Sequence, residues 1–389
     1  MSQQLPLTGV RVIEVCNVAA GPFSGMLLAD MGADVIKVEN PDGGDTLRSW
    51  PPITQGYSEN FASLNRGKRS VTLNLKASAD LALLIELVRD ADVLIENNRP
   101  GVMERLGAGY DAMSKVNSRL LYCSISAYGQ AGPRKNEGGF DLTIQAMSGL
   151  MSVTGEPGGA PVKCGVPVSD FAAGLYGAFS IAAALRAVAS SGQGMHIDVS
   201  MLGATLGIAA LQSSEYFGSG KDPRPLGSAH PRNAPYQVFR CKNGYFGMAA
   251  GNNALWRSVC DVVGRPDLLE DERFVSPSSR AANQDALLGI LEEEFRRADI
   301  AAWLHRFSQA GVPCAPINSY SQVLQDPQVA YMGWVQPLEL PNGVQTKTFG
   351  PPIRFSSQTL PVRHRPPALG EHNAQVLEPL RAAVRRASA

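Results

Sequence analysis

Asp170 sits in the run Val166-Pro167-Val168-Ser169-Asp170-Phe171, just before a long alanine-rich stretch. An aspartate there has two compatible uses. It can cap a helix, because its side-chain oxygen accepts from orphan N–H groups and its charge complements the dipole. It can also be a carboxylate nucleophile, which attacks an activated acyl group and splits one transfer into two easier steps. Asp141 follows Gly138-Gly139-Phe140 where a loop passes into a helical pattern, and it reads either as a cap or as a site residue. The turn Val18-Ala19-Ala20-Gly21-Pro22 joins a strand to a helix and can offer N–H groups to an anion. Glu39 closes the next strand, where a dinucleotide enzyme places its ribose-binding acid. The Gly-x-Gly-x-x-Gly fingerprint is absent, which argues against NAD. The loop Asn65-Arg66-Gly67-Lys68-Arg69-Ser70, with Lys76, Arg99 and Arg105, could meet a polyphosphate or simply be solvated. The stretch Ala229-His230-Pro231-Arg232-Asn233-Ala234-Pro235-Tyr236 is polar and pinned by proline. It reads either as a ligand-contacting segment or as a plain linker.

These residues need a frame. Val10–Val15 reads as a strand, Phe23–Met31 as a helix that Pro22 helps start, and Val35–Glu39 as a second strand. Such a unit carries parallel strands and a right-handed crossover. The alternation recurs in Ser70–Leu75 (strand), Ala79–Arg89 (helix), Asp92–Glu96 (strand), Leu120–Ile125 (strand), Ala172–Ala189 (helix) and His196–Val199 (strand). That predicts an α/β fold built on an open parallel sheet with helices on both faces. Composition shifts over Gly218–Pro235, read as a linker. Tyr236–Arg240 and Tyr245–Ala250 flank Lys242-Asn243-Gly244, a hairpin signal. Helical patterns at Ala254–Val263, Ala281–Arg296 and Ile300–Ala310 complete a smaller α+β unit. Proline-rich short strands and a terminal helix near Asn373–Arg385 follow. The expected organisation is a large domain over 1–217, a linker over 218–235, a small domain over 236–328, and a segment over 329–389 that returns to the large domain.

Composition excludes several classes. Of 389 residues, 44% are hydrophobic and 18% charged, a globular mix rather than a disordered one. Lys+Arg and Asp+Glu number 35 each, so the neutral chain lacks the basic excess that nucleic-acid or anionic-membrane binding wants. The most apolar run, Phe171–Leu185, is shorter than the roughly 18–20 residues a bilayer needs, so no span is expected. Met1–Pro6 has neither a basic flank nor an apolar run, so no signal peptide is expected. Six scattered cysteines without Cys-x-x-Cys predict no metal cluster and no disulfide framework, and they fit a reducing cytoplasm.

In order and spacing, the chain resembles the class III coenzyme A transferases, the CaiB/BaiF family of formyl-CoA and carnitine-CoA transferases. The resemblance rests on Leu7–Glu14, Ala20-Gly21-Pro22, Leu28–Glu39, Asn65–Ser70, Val93–Asn97 with Pro100-Gly101, Phe140–Gly149, Ala229-His230-Pro231 with Pro235-Tyr236, and Gly370-Glu371-His372. It implies a Rossmann-like large domain, a small domain and an interlocked homodimer. It implies that CoA moves from an acyl-CoA to a free carboxylic acid through a covalent intermediate on Asp170, with no tightly bound cofactor. CoA-contacting positions carry over to Val18, Ala19, Ala20, Asn40, Leu73, Lys76, Asn97, Asn98 and Arg105. Phe140, Asp141, His230 and Arg232 become candidate substrate contacts, with Arg224 a further candidate for a second carboxylate. Ala19 and Asn40 stand where the formyl-CoA branch has glutamine and arginine, which argues against oxalate or formate. The related α-methylacyl-CoA racemases carry a Gly-His-Asp segment where this chain has Gly139-Phe140-Asp141. Phenylalanine cannot carry a proton, so a racemase-like isomerase ranks second. A non-catalytic CoA-binding protein ranks third.

Overall fold

The computed structural model describes residues 4–356 and 358–387. Two compact units emerge: residues 1–150, 163–220 and 327–389 form the first, and residues 151–162 and 221–326 the second.

The first unit is built on six strands: β1 (Arg11–Val15), β2 (Asp34–Glu39), β3 (Lys68–Thr72), β4 (Val93–Glu96), β5 (Leu121–Ser126) and β6 (Met195–Ser200). All neighbouring pairs are parallel, in the order β3-β2-β1-β4-β5-β6. This is the doubly wound order, as the alternating pattern predicts. Strand β1 faces two cores. Val12 belongs to an apolar cluster with helices α1 (Ala20–Asp30) and α4 (Val168–Ser191). Ile13 belongs to the opposite cluster, with α2 (Ser78–Arg89) and the terminal helix Asn373–Ala387. Burial on both faces explains the near-continuous Val/Ile/Leu runs of these strands.

Helix α4 is longer than its apolar stretch suggests. It runs 24 residues and, by length and composition, is apolar enough to cross a membrane. This corrects the expectation of no such segment, which counted only the run between Asp170 and Arg186. Ala172, Ala173, Gly174, Gly177 and Ile181 are buried along one face of α4. Gly174 allows α1 to approach closely: a Cβ there would lie 2.7 Å from the Ala20 carbonyl oxygen. The side chains of Phe23 and Phe171 meet beside it, with ring centroids 4.7 Å apart. The sequence reading leaves 200–217 without elements, yet helices α5 (Met201–Ile208) and α6 (Ala210–Ser219) fill it.

The second unit carries the expected hairpin, Tyr236–Cys241 against Gly244–Ala249, and a third strand, Cys314–Pro316, joins it. Its core is aromatic, centred on Phe239, Phe246, Phe295, Trp303 and Phe307. The helix expected over 281–296 is divided at Asn283 into Pro277–Ala282 and Gln284–Phe295.

Candidate active site

The strand order reverses beside β1 and β4, and ligands of open α/β sheets bind outside the carboxyl ends of strands at such a point. The turn after β1 is held in a conformation it would not take unaided. Val18 has φ +64°, in the left-handed region that β-branched residues avoid. Two clamps hold it there. Val18 N–H donates to Asp45 Oδ1 at 3.0 Å. Asn17 N–H donates to Asn97 Oδ1 at 2.9 Å, and Asn97 Nδ2 donates back to the Asn17 carbonyl at 2.8 Å. Helix α1 then starts with Ala19 as its N-cap and no side-chain cap, so its first N–H groups remain open to a ligand.

Asp170 is half-buried in the first turn of α4, with Pro167 at the cap position. It is therefore not the N-cap residue. Asp141 serves that helix instead: its Oδ1 accepts the Ser169 N–H at 2.9 Å. Its Oδ2 accepts from Gln145 Nε2 at 2.7 Å, and Gln145 Oε1 accepts the Cys164 N–H at 2.8 Å. Asp141 opens its own helix, α3 (Asp141–Met147), yet the contact that matters lies across at α4. Burial, reinforced by the Asp141 carboxylate, pushes the Asp170 carboxyl up to about 7. A carboxylate attacks as its anion, so a reaction in which Asp170 is the nucleophile is expected to slow as pH drops below about 7. Asp141→Asn keeps an oxygen for Ser169 but removes a negative charge. It is expected to move that acidic limb to lower pH, as initial rates from pH 5 to 9 would show; an unmoved limb would refute the coupling.

One cavity of about 230 Å³ gathers Asp170 with Val18, Ala19, Ala20, Asn97, Asn98 and Phe140. The other predicted positions do not line it. Asn40, Leu73 and Lys76 follow the carboxyl ends of β2 and β3, and Arg105 ends the short helix Val102–Arg105 after β4. Leu73 is a core residue, 2% exposed, packed with the cluster on one face of the sheet. His230 and Arg232 belong to the second unit, where His230 Nδ1 accepts the N–H groups of Arg232 and Asn233. Arg99, which the sequence offered as a polyphosphate contact, lines the cavity, and so do residues that no catalytic or binding argument singled out: Asn17, Ser126 and Met201. Their signal was position, since Asn17, Arg99 and Ser126 all lie at the carboxyl end of a sheet strand. Glu39 is unavailable to a ribose: Arg48, Ser70 and the Asp45 N–H occupy its carboxylate. Among the described residues, no group of three or more His, Cys, Asp or Glu could hold a metal ion.

A carboxylate beside a strained turn and open N–H groups suits acyl transfer. Comparison with known proteins points the same way. The sequence matches the family model described as CoA-transferase family III over residues 7–373. It is 40% identical to a succinate–glutarate CoA-transferase of Agrobacterium fabrum, over 98% of each chain. It is 42% identical to an acetyl-CoA:oxalate CoA-transferase of Acetobacter aceti, over 84% of each. The fold is similar to the crystal structure of a CaiB/BaiF family protein from Brucella suis. The TM-score is 0.86 at 39% identity, over 98% of this chain and 100% of that one.

Proposed function

Because the chain belongs to CoA-transferase family III and moves CoA between an acyl-CoA and a free carboxylate, we propose that Asp170 carries the CoA between them. An Asp170 oxygen attacks the donor thioester carbonyl, and the C–S bond breaks. This leaves an acyl-aspartyl anhydride and CoA thiolate. The thiolate attacks the aspartyl carbonyl, releases the donor acid and leaves an aspartyl-CoA thioester. The acceptor carboxylate then attacks that thioester, forming a second anhydride and freeing the thiolate. Attack of the thiolate on the acceptor's acyl carbon yields the new acyl-CoA and restores Asp170. Each oxyanion needs donors, and the N–H groups of Ala19 and Ala20 in the turn after β1 are the proposed set, since the Val18 N–H is taken by Asp45. The observation that carries this reading is the shared cavity of Asp170 and that turn.

Dicarboxylic acids are the proposed substrate class, supported by the succinate–glutarate enzyme's similarity over the whole chain. Val18, Ala19, Ala20, Asn97 and Asn98 are proposed to contact CoA near the thioester, with Asn40, Leu73, Lys76 and Arg105 farther along the cofactor-like moiety. Phe140 walls the acyl site. The test is to supply succinyl-CoA and glutarate, follow glutaryl-CoA, and quench with borohydride. Borohydride reduces an aspartyl-CoA thioester to the alcohol, so peptide mass spectrometry should find that change at Asp170 alone. Exchange without a mark on Asp170 would refute the covalent route. Deuterium entering the α-carbon without exchange would favour the isomerase.

We also propose that the protein works as a homodimer in the cytoplasm. Leu175 and Phe179 on α4, and Leu211 and Phe217 on α6, are 53–81% exposed. Exposed apolar side chains at this density mark an association surface. Light scattering should give twice the chain mass, and a monomer at micromolar concentration would refute the proposal.

A further inference from the structure

Among the described residues, Arg99 is the only Arg, Lys or His lining the cavity that holds Asp170. Two carboxylates share that wall, Asp170 and Glu137, and Glu137 is already engaged by Arg134 at 2.8 Å. Among the described residues the Arg99 side chain has no carboxylate partner, although the exposed Arg89 and Arg134 each have one. Its position is nonetheless shaped. A Cβ on Gly138 would lie 2.9 Å from Arg99 Nη2, 3.1 Å from Cζ and 3.2 Å from Nε. The guanidinium therefore packs close against the Gly138 backbone, and a side chain there would push it aside. At its root, the Arg99 carbonyl accepts the Val102 N–H and fixes the turn after β4.

A planar fork of donors with no internal acceptor, facing a concave site, suits a carboxylate or phosphate ligand. The electrostatics of the cavity select between them. A dicarboxylyl group brings its own anion toward Asp170, and Asp141 adds to the negative charge there. Without a cation on the wall, the distal carboxylate would be repelled from the place where its thioester must react. We propose that Arg99 binds the distal carboxylate of the acyl group, and so selects dicarboxylic over monocarboxylic substrates. This rests on the CoA-transfer reading above. It assigns to the first unit a role that the sequence had offered to His230, Arg232 and Arg224.

The test compares succinyl-CoA with butyryl-CoA, which has the same chain length without the distal carboxylate. In wild type, succinyl-CoA is expected to be the better donor. In Arg99→Ala the ratio of their kcat/KM values should fall roughly 10- to 100-fold, the loss of one charge-assisted hydrogen bond. Arg99→Lys should recover only part of it, because the fork is lost. Gly138→Ala, which displaces the guanidinium but keeps its charge, should lower the ratio in the same direction. An equal loss for both donors, with weaker inhibition by free CoA, would place Arg99 on the CoA phosphates and overturn the proposal. An unchanged ratio would overturn it too. A wild-type protein that binds CoA but exchanges no donor would instead refute the transferase chemistry.

Discussion

Asp170→Ala is expected to lower CoA exchange by at least about 10³-fold, because in the proposed route the Asp170 carboxylate accepts the acyl carbon. Asp170→Asn should lose as much, since an amide is not a nucleophile at neutral pH. Binding of free CoA should survive in both, because Val18 keeps its clamp on Asp45 and Asn17 its clamp on Asn97. Retention of more than a few per cent of exchange would remove Asp170 from the chemistry. A structural role for Asp170 predicts the opposite stability result, which makes the two readings separable. Its carboxyl is pushed up to about 7 by burial and by Asp141. A carboxyl whose pKa rises on folding opposes folding once the unfolded chain ionises, and the penalty grows until the folded form ionises as well. Asp170→Asn should therefore be more thermostable than wild type at pH 8. The gap should shrink as pH falls from about 7 toward 4. A purely capping aspartate would instead leave the variant less stable. Enzymes commonly give up stability at the site of reaction, and this pair of carboxylates fits that pattern.

Much of this was legible before any coordinates. The short β-rich runs separated by helical periods required parallel strands, but not their order, which the structure supplies. The strand-to-helix turn at Val18 and the helix that carries Asp170 were both readable. The register of Asp170 in its helix was not. A residue before proline is biased away from helical angles, and here Val166 precedes Pro167. The helix accordingly starts straight after the proline and carries Asp170 into its first turn. Helices α5 and α6 were missed because Gly203, Gly207 and several serines weaken local propensity, so tertiary packing decides their form. The role of Asp141 depends on a contact 28 residues away, which no local pattern carries. The left-handed Val18 is likewise invisible locally, because the sequence offers no glycine or asparagine there to announce it.

Lys37→Met is expected to cost several kcal/mol of stability, on the order of 3–5, and to disable the site with it. Lys37 is 0% exposed in the middle of β2. Its ammonium donates to Glu14 Oε1 at 2.8 Å and to the Cys16 carbonyl at 2.8 Å, and pairs with Asp45 Oδ2 at 2.9 Å. Burial alone would strip its proton. Glu14, Asp45 and Glu39 overcome that and hold its pKa well above the ordinary lysine value. Glu14 also pairs with Lys68 at 2.7 Å, and Lys68 donates to the Pro22 carbonyl at 2.8 Å. The two lysines thus tie both ends of the Cys16–Pro22 turn to the sheet. Helix α1 crosses the cluster at Gly25, where a Cβ would meet Glu14 Oε2. Removing Lys37 leaves Asp45 buried with one carboxylate oxygen uncompensated, and Asp45 is the group that holds Val18 in its strained conformation. Unfolding in urea should show the loss. Breaking the exposed Arg89–Glu86 pair should leave the unfolding midpoint where it was, because solvent screens it. If Lys37→Met folds at low temperature, CoA affinity should fall more than the stability of the second unit, whose aromatic core shares no residue with the cluster. Full CoA affinity in that folded variant would mean the turn keeps its shape without the buried lysine. The signal for this network was present in the sequence: single charges in otherwise apolar strands that must be covered on both faces. Pairing them required the register, in which Glu14 stands directly beside Lys37.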